Sequence, residues 1–199
     1  MRECPTCAVS PCSQSQSCSR SPRSHRQPAR SGRSTSPARC PAPARSAPRL
    51  GGAQANFRGI NGNSLPIDQL VDSTTLSTRP ASTEISFDAV CAFPHLLRVE
   101  SQNNGLWRTG ERSGGAPEGF GDAVPYRATL LWASQTLALF ADARLRRMSE
   151  STLFVSDTAT GTLQLRLEID AGATNHRANA PLVAGTYGDT LRITLEPQQ

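Results

Sequence analysis

Lysine is absent from all 199 residues, and every one of the 21 basic side chains is arginine. In a chain so rich in Ala, Gly and Pro this points to GC-rich coding DNA and excludes no chemistry. No run of ~18 apolar residues exists, so the sequence contains no segment that would span a membrane as a helix. Aromatic residues make up only 5% of the chain, and residues 1–50 have none; Val9 and Leu50 are their only branched aliphatics. That stretch therefore lacks the apolar core of about 7–15 residues that a secretory signal needs, and it cannot bury enough surface to offset its ordering entropy. Acids are scarce there too: nine arginines face Glu3 alone, a net charge of +8, whereas residues 51–199 carry 12 arginines against 15 acids, a net charge of −3. The basic character of the whole belongs to its first quarter.

What is present before Leu50 is a disordered Arg/Ser/Pro-rich segment open to three readings. "SRSPRSHRQPARSGRS" has the composition of a nucleic-acid tail whose arginines neutralise phosphates, although no aromatic residue is there to stack on bases. Cys4, Cys7, Cys12 and Cys18, with His25 beyond, suggest a zinc cluster, but the second pair is spaced too widely and no apolar residues would enclose the metal. The favoured reading follows from Ala53-Gln54-Ala55, a small-residue site of the kind signal peptidases cut, here before Asn56. A frame slip in GC-rich DNA converts an Ala/Leu signal core into an Arg/Ser/Pro tract. On that basis residues 1–55 are a disordered or mis-framed leader, 56–80 an extended arm and loop, and 81–199 the folded domain.

From residue 81 the pattern has period two. Ile85, Phe87 and Ala89 alternate with polar residues. So do Val124, Tyr126, Ala128, Leu130 and Trp132, then Leu163, Leu165, Leu167 and Ile169, and finally Leu191, Ile193 and Leu195, each set marking a strand with one buried face. Asn104-Gly105 is a strong hairpin signal and predicts that "HLLRVES" returns antiparallel near Leu106. "LALFADARLRRMSE" is ambiguous between helix and strand, and its neighbours favour strand. Residues 109–123 form a Gly-rich loop without the Gly-Lys-Ser/Thr ending of a phosphate cradle. About six or seven short strands without a convincing long helix predict an all-β antiparallel sandwich.

"PLVAGTYGDTLRITLEP" (181–197), with Gly185, Thr186, Tyr187 and Asp189, resembles the ending of bacterial spore coat protein U domains. "VCAFPHLLRVESQNNGL" (90–106) resembles their Cys-containing first strand pair, and those domains in turn resemble chaperone-usher pilus subunits. The resemblance implies an immunoglobulin-like, exported, non-catalytic subunit found in the periplasm, secreted or at the cell surface. Its partners would be other subunits or a periplasmic chaperone. Assembly would proceed by exchange of a strand into an open groove, with Leu65, Ile67 and Leu70 of the arm as groove-filling residues, although an ordinary first strand packed in its own domain explains them equally well. Related domains commonly carry a disulfide. Cys91 is the only cysteine beyond the cleavage site, so here it would be a buried free thiol or an intermolecular link.

Catalysis finds little support. His95 and His176 sit in no metal spacing, and no Gly-x-Ser-x-Gly elbow occurs. Glu168 and Asp170 read as a solvated face, and Asp189 as the support of a turn. No cofactor, metal, nucleic acid or small-molecule substrate is implied. Trp132 reads as core, while Trp107 stays open between packing and a ligand platform. The leading expectation is a structural surface or coat subunit. The alternatives are an adhesive or ligand-binding module using loop 109–123, and an Arg-rich RNA-binding protein.

Overall fold

The computed structural model describes residues 48–110 and 116–198, all within the unit Pro37–Gln199. Eleven strands follow one another there: β1 (Arg49–Ala55), β2 (Ala81–Cys91), β3 (His95–Ser101), β4 (Leu106–Thr109), β5 (Ala123–Val124), β6 (Tyr126–Trp132), β7 (Gln135–Ala141), β8 (Ser149–Val155), β9 (Ala159–Ile169), β10 (Thr186–Gly188) and β11 (Leu191–Pro197). One sheet has the order β1-β2-β9-β6-β7, a second β11-β3-β8 and a third β10-β4-β5, and every strand pair is antiparallel. The fold is an all-β antiparallel sandwich.

Period two explains the core. Val124 of β5 and Tyr126, Ala128, Leu130 and Trp132 of β6 are all buried, as are Ile85, Ala89, Leu163, Leu165 and Ile169 of β2 and β9 in the large sheet. Facing them, Leu97 and Val99 of β3 and Val155 of β8 complete one apolar cluster. Each such side chain taken out of water contributes roughly 1.5–3 kcal/mol before entropy is counted. On the outer face Arg98 reaches Glu150 at 3.3 Å and Glu196 at 3.2 Å, tying β3 to both neighbours. The ambiguous "LALFADARLRRMSE" resolves into the end of β7, a loop at 142–148 and the start of β8.

Four expectations need correction. The supposed leader reaches into the domain: β1 pairs with β2, Leu50 opposite Ile85 and Ala55 opposite Ser82. The small-residue site is therefore part of a sheet, and cleavage before Asn56 would remove a strand. Asn56 itself is a corner, with φ of 64° and a side-chain amide that binds Gln69 N, Gln69 O and Pro80 O. Residues 56–80 are not extended either. Antiparallel bridges between Phe57 and Ile67, Asn61 and Ser64, and Val71 and Thr78 fold them back on themselves.

The third correction concerns Asn104-Gly105, which makes a turn but not a hairpin. β3 pairs with β8 and β11, whereas β4 pairs with β5 and β10. Tertiary contacts redirect the chain: the Asn104 amide donates to Asp142 Oδ1 at 2.5 Å, and its carbonyl accepts from Ala143 N at 2.7 Å. Gly105 has φ of 144°, and a Cβ there would lie 2.6 Å from that of Ala143. The turn is thus pressed onto the 142–148 loop and carries the chain into a different sheet.

Cys91 is buried and disulfide-bonded, which replaces the expectation of a free thiol. All other cysteines of the chain precede Arg49, so its partner lies outside the described residues. The zinc and nucleic-acid readings of Cys4, Cys7, Cys12, Cys18 and His25 lie outside them as well.

Candidate functional site: an open groove beside the last strand

β11 makes a full ladder with β3, from Leu191 opposite Ser101 to Pro197 opposite His95. Its other edge pairs with no strand among the described residues. Inward-facing Leu191, Ile193 and Leu195 consequently stay only half-buried, in contrast to Tyr126, Ala128, Leu130 and Trp132 of β6 and Leu163, Leu165 and Ile169 of β9. Between them and Ile85, Phe87 and Ala89 of β2 runs a groove of about 1050 Å³, whose floor continues along Leu163, Leu165, Leu167 and Ile169. Seven residues at ~3.3 Å each make the open edge roughly 23 Å long. Its lining is apolar, and its rim offers the unpaired backbone groups of an edge strand.

The arm residues meet this groove in their own domain. Leu65 and Ile67 line it together with Phe57 and Ile60, whereas Leu70 packs against the core without lining it. Phe57 and Ile60 were not singled out in the sequence; they stand as isolated apolar residues among Arg58, Gly59, Asn61, Gly62, Asn63 and Ser64, so no continuous run marked them.

At one end of the groove stands Asp189. Its carboxylate accepts from Ser101 Oγ at 2.5 Å, Tyr126 OH at 2.7 Å, Asn103 N at 2.9 Å, Asn103 Nδ2 at 3.1 Å and Thr190 N at 2.7 Å. It does more than support its own turn, since it joins the ends of β3, β6 and β10 at the entry to β11. The remaining residues of the "GTYGD" stretch gather nearby. Gly185 lies against the Arg108 side chain, Thr186 O accepts from Thr109 Oγ1 at 3.1 Å, and Tyr187 OH donates to Val183 O at 2.5 Å.

Burial pushes the Tyr187 phenol up to about 12, with Asp122 adding to the shift and Arg108 opposing it. Burial also raises Tyr126, reinforced by Asp189. Both folded-state values lie above that of an unfolded tyrosine, so the protonated phenols stabilise the fold fully below pH ~10, and that contribution is lost as pH rises towards 12. Chemical-denaturation midpoints are expected to fall between pH ~9 and ~11, and to fall less steeply in Tyr187→Phe.

The other singled-out residues serve packing. His95 is fully buried in β3. Trp132 Nε1, which can only donate, binds His95 Nε2 at 2.8 Å, so the imidazole carries its proton on Nδ1 and donates to Phe93 O at 2.8 Å. Trp107 donates to Asn103 O at 2.6 Å, which closes its turn. Glu168 pairs with Arg166 and Asp170 with Arg127 on the outer face, and His176 is exposed. Among the described residues no three His, Cys, Asp or Glu side chains come together as a metal site. Of loop 109–123, residues 111–115 lie outside the described set; the part that follows is anchored through Gly121 to Leu182 and through Asp122 to Asn175.

No family model matches the chain, and no curated protein matches it. Two solved structures show similarity. One comes from a chaperone–tip adhesin complex of CFA/I fimbriae biogenesis, 14% identical, with TM-score 0.35, covering 72% of this chain and 38% of that one. The other is Xyl-CBM35 in complex with a glucuronic acid containing disaccharide, 12% identical, with TM-score 0.27, covering 79% of this chain and 96% of that one. The chain thus spans well under half the length of the fimbrial chain it matches.

Proposed function

We propose that this protein is an exported, non-catalytic surface or coat subunit that assembles by β-strand addition. The observation that carries the reading is the apolar groove beside the unpaired edge of β11. A strand laid there gains main-chain hydrogen bonds along β11 and buries alternate side chains between the two layers. The donor is a second copy of the chain. Leu65 and Ile67 already match the groove from within one domain, and exchange of an identical element between chains is a low-cost route to assembly. The resemblance of residues 90–106 and 181–197 to spore coat protein U and pilus subunits agrees with this mode, as does a periplasmic chaperone as a temporary occupant. The Cys91 disulfide favours an oxidising compartment.

Ile193→Glu tests the proposal, because a carboxylate on the groove wall tolerates solvent but not an apolar strand. By light scattering the full chain is expected to form concentration-dependent oligomers, and the variant to associate at least about tenfold more weakly, a difference near 1.4 kcal/mol, with an unchanged circular dichroism spectrum. A wild-type chain that stays monomeric at all concentrations, or a variant that assembles equally well, would refute it.

A further inference from the structure

The loop at 142–148, between β7 and β8, stands apart from the groove's apolar chemistry. It presents Arg144, Leu145, Arg146, Arg147 and Met148, all exposed, with Leu145 at 66% and Met148 at 61% of their full accessible surface. Among the described residues none of these three arginines forms an ion pair with a carboxylate. Arg146 Nε donates only to the neutral Asn103 Oδ1. The nearest acid, Asp142, is occupied within the loop: its Oδ1 accepts from Asn104 Nδ2 and from Arg144 N at 3.0 Å. Three cations and two long apolar side chains therefore face outward with no carboxylate in ion-pair contact; Arg146 rests on Asn103, and Arg144 and Arg147 lend only longer-range charge to Asp142.

Their presentation is fixed. Ala143 is fully buried with φ of 56°, a left-handed conformation rare for a residue with a Cβ. It is held by its hydrogen bond to Asn104 O and by close packing on Gly105. Asn104 Oδ1 also accepts from Asp142 N, and its amide reaches Leu145 O.

We propose that this loop is a docking surface for an anionic lipid bilayer, with the arginines at the headgroups and Leu145 and Met148 entering the acyl boundary. Charge complementarity selects an anionic partner. The two exposed apolar side chains beside the arginines, Leu145 and Met148, select a partner with an apolar layer directly beneath its charge, which a polysaccharide does not offer. This surface is independent of the groove.

Leu145→Trp in the full chain reports the contact at the loop itself, so the Arg-rich N-terminal region cannot produce the signal. With phosphatidylcholine vesicles containing phosphatidylglycerol, its added emission is expected to shift to the blue and to be quenched by brominated acyl chains. Vesicles of phosphatidylcholine alone should leave it unchanged. Each arginine near such a surface contributes about fivefold in affinity, so Arg144→Gln with Arg146→Gln and Arg147→Gln in the same background should weaken the quenching titration by at least about tenfold. All three side chains are exposed, and unchanged thermal unfolding would confirm an intact fold. An unquenched indole, or quenching indifferent to the three substitutions, would overturn the proposal. So would arginine-dependent binding of soluble polyglutamate without quenching by vesicles, an outcome that would assign the loop to an acidic protein instead.

Discussion

Trp132→Ala is expected to lower the stability of the sandwich by about 4 kcal/mol, and Trp132→Phe by about 2 kcal/mol. The indole is 1% exposed and the largest fully buried side chain among the described residues, so its truncation opens a cavity in close-packed surroundings. It also ends the one hydrogen bond of His95 Nε2 among the described residues, leaving a buried acceptor unsatisfied, and removes an edge-on ring contact at 6.2 Å between centroids. Phenylalanine refills much of the volume but has no donor, so the gap between the two variants separates packing from hydrogen bonding. Domains of this kind hold roughly 5–15 kcal/mol in total, so the alanine variant would lose a large share of it. Denaturant midpoints at constant slope measure both effects. A cost near zero for the phenylalanine variant would show that the His95 bond adds nothing beyond shape, and near-equal costs would show that the lost bond, not the volume, carries the penalty.

Asp189→Ala should cost about 3 kcal/mol. Five donors converge on this carboxylate, two of them from Ser101 and Tyr126 at strand ends that are themselves buried. Hydrogen bonds to a charged acceptor contribute more than neutral ones, and orphaned buried donors carry the larger part of the penalty. Partial exposure of Asp189 lets water replace some of them, which keeps the figure below the sum of its bonds. Asn at this position retains one acceptor oxygen but turns an amide towards donors, so about half the loss should remain. Equilibrium unfolding of both variants gives the comparison, and a loss below about 1 kcal/mol for alanine would remove Asp189 from the account of how β3, β6 and β10 are joined.

How far these features were legible beforehand depended on the range of the interactions that produce them. The inward faces of β2, β6 and β9 were readable, because alternation is local and a one-residue slip would expose every apolar side chain. Sheet partners were not: β9 lies between β2 and β6, far away in sequence, and nothing in "TGTLQLRLEID" names either. The Asn104-Gly105 turn misled because its direction is set by Asp142 and Ala143, nearly 40 residues on. β1 was missed because "RLGGAQA" has almost no apolar side chains, and its place comes from backbone pairing with β2.

The groove was legible only in half. Leu191, Ile193 and Leu195 alternate identically whether the space opposite them is filled or empty, so the pattern marked a strand but not its missing neighbour. The resemblance to strand-exchanging subunits supplied that expectation. It placed the exchanged arm within residues 56–80, of which Leu65 and Ile67 line the groove of their own domain and Leu70 does not. The 142–148 loop went unread as a surface, since exposure and the absence of ion pairs depend on tertiary structure.

Hydrogen–deuterium exchange along Leu191–Pro197 tests strand addition most directly, with the monomer compared to assembled material from the same preparation. The account predicts that β11 amides directed away from β3 exchange rapidly in the monomer and become strongly protected on assembly, while those bonded to β3 are protected in both. Equal exchange of the outer amides in the two states, whether fast or slow, would mean that no strand is added there.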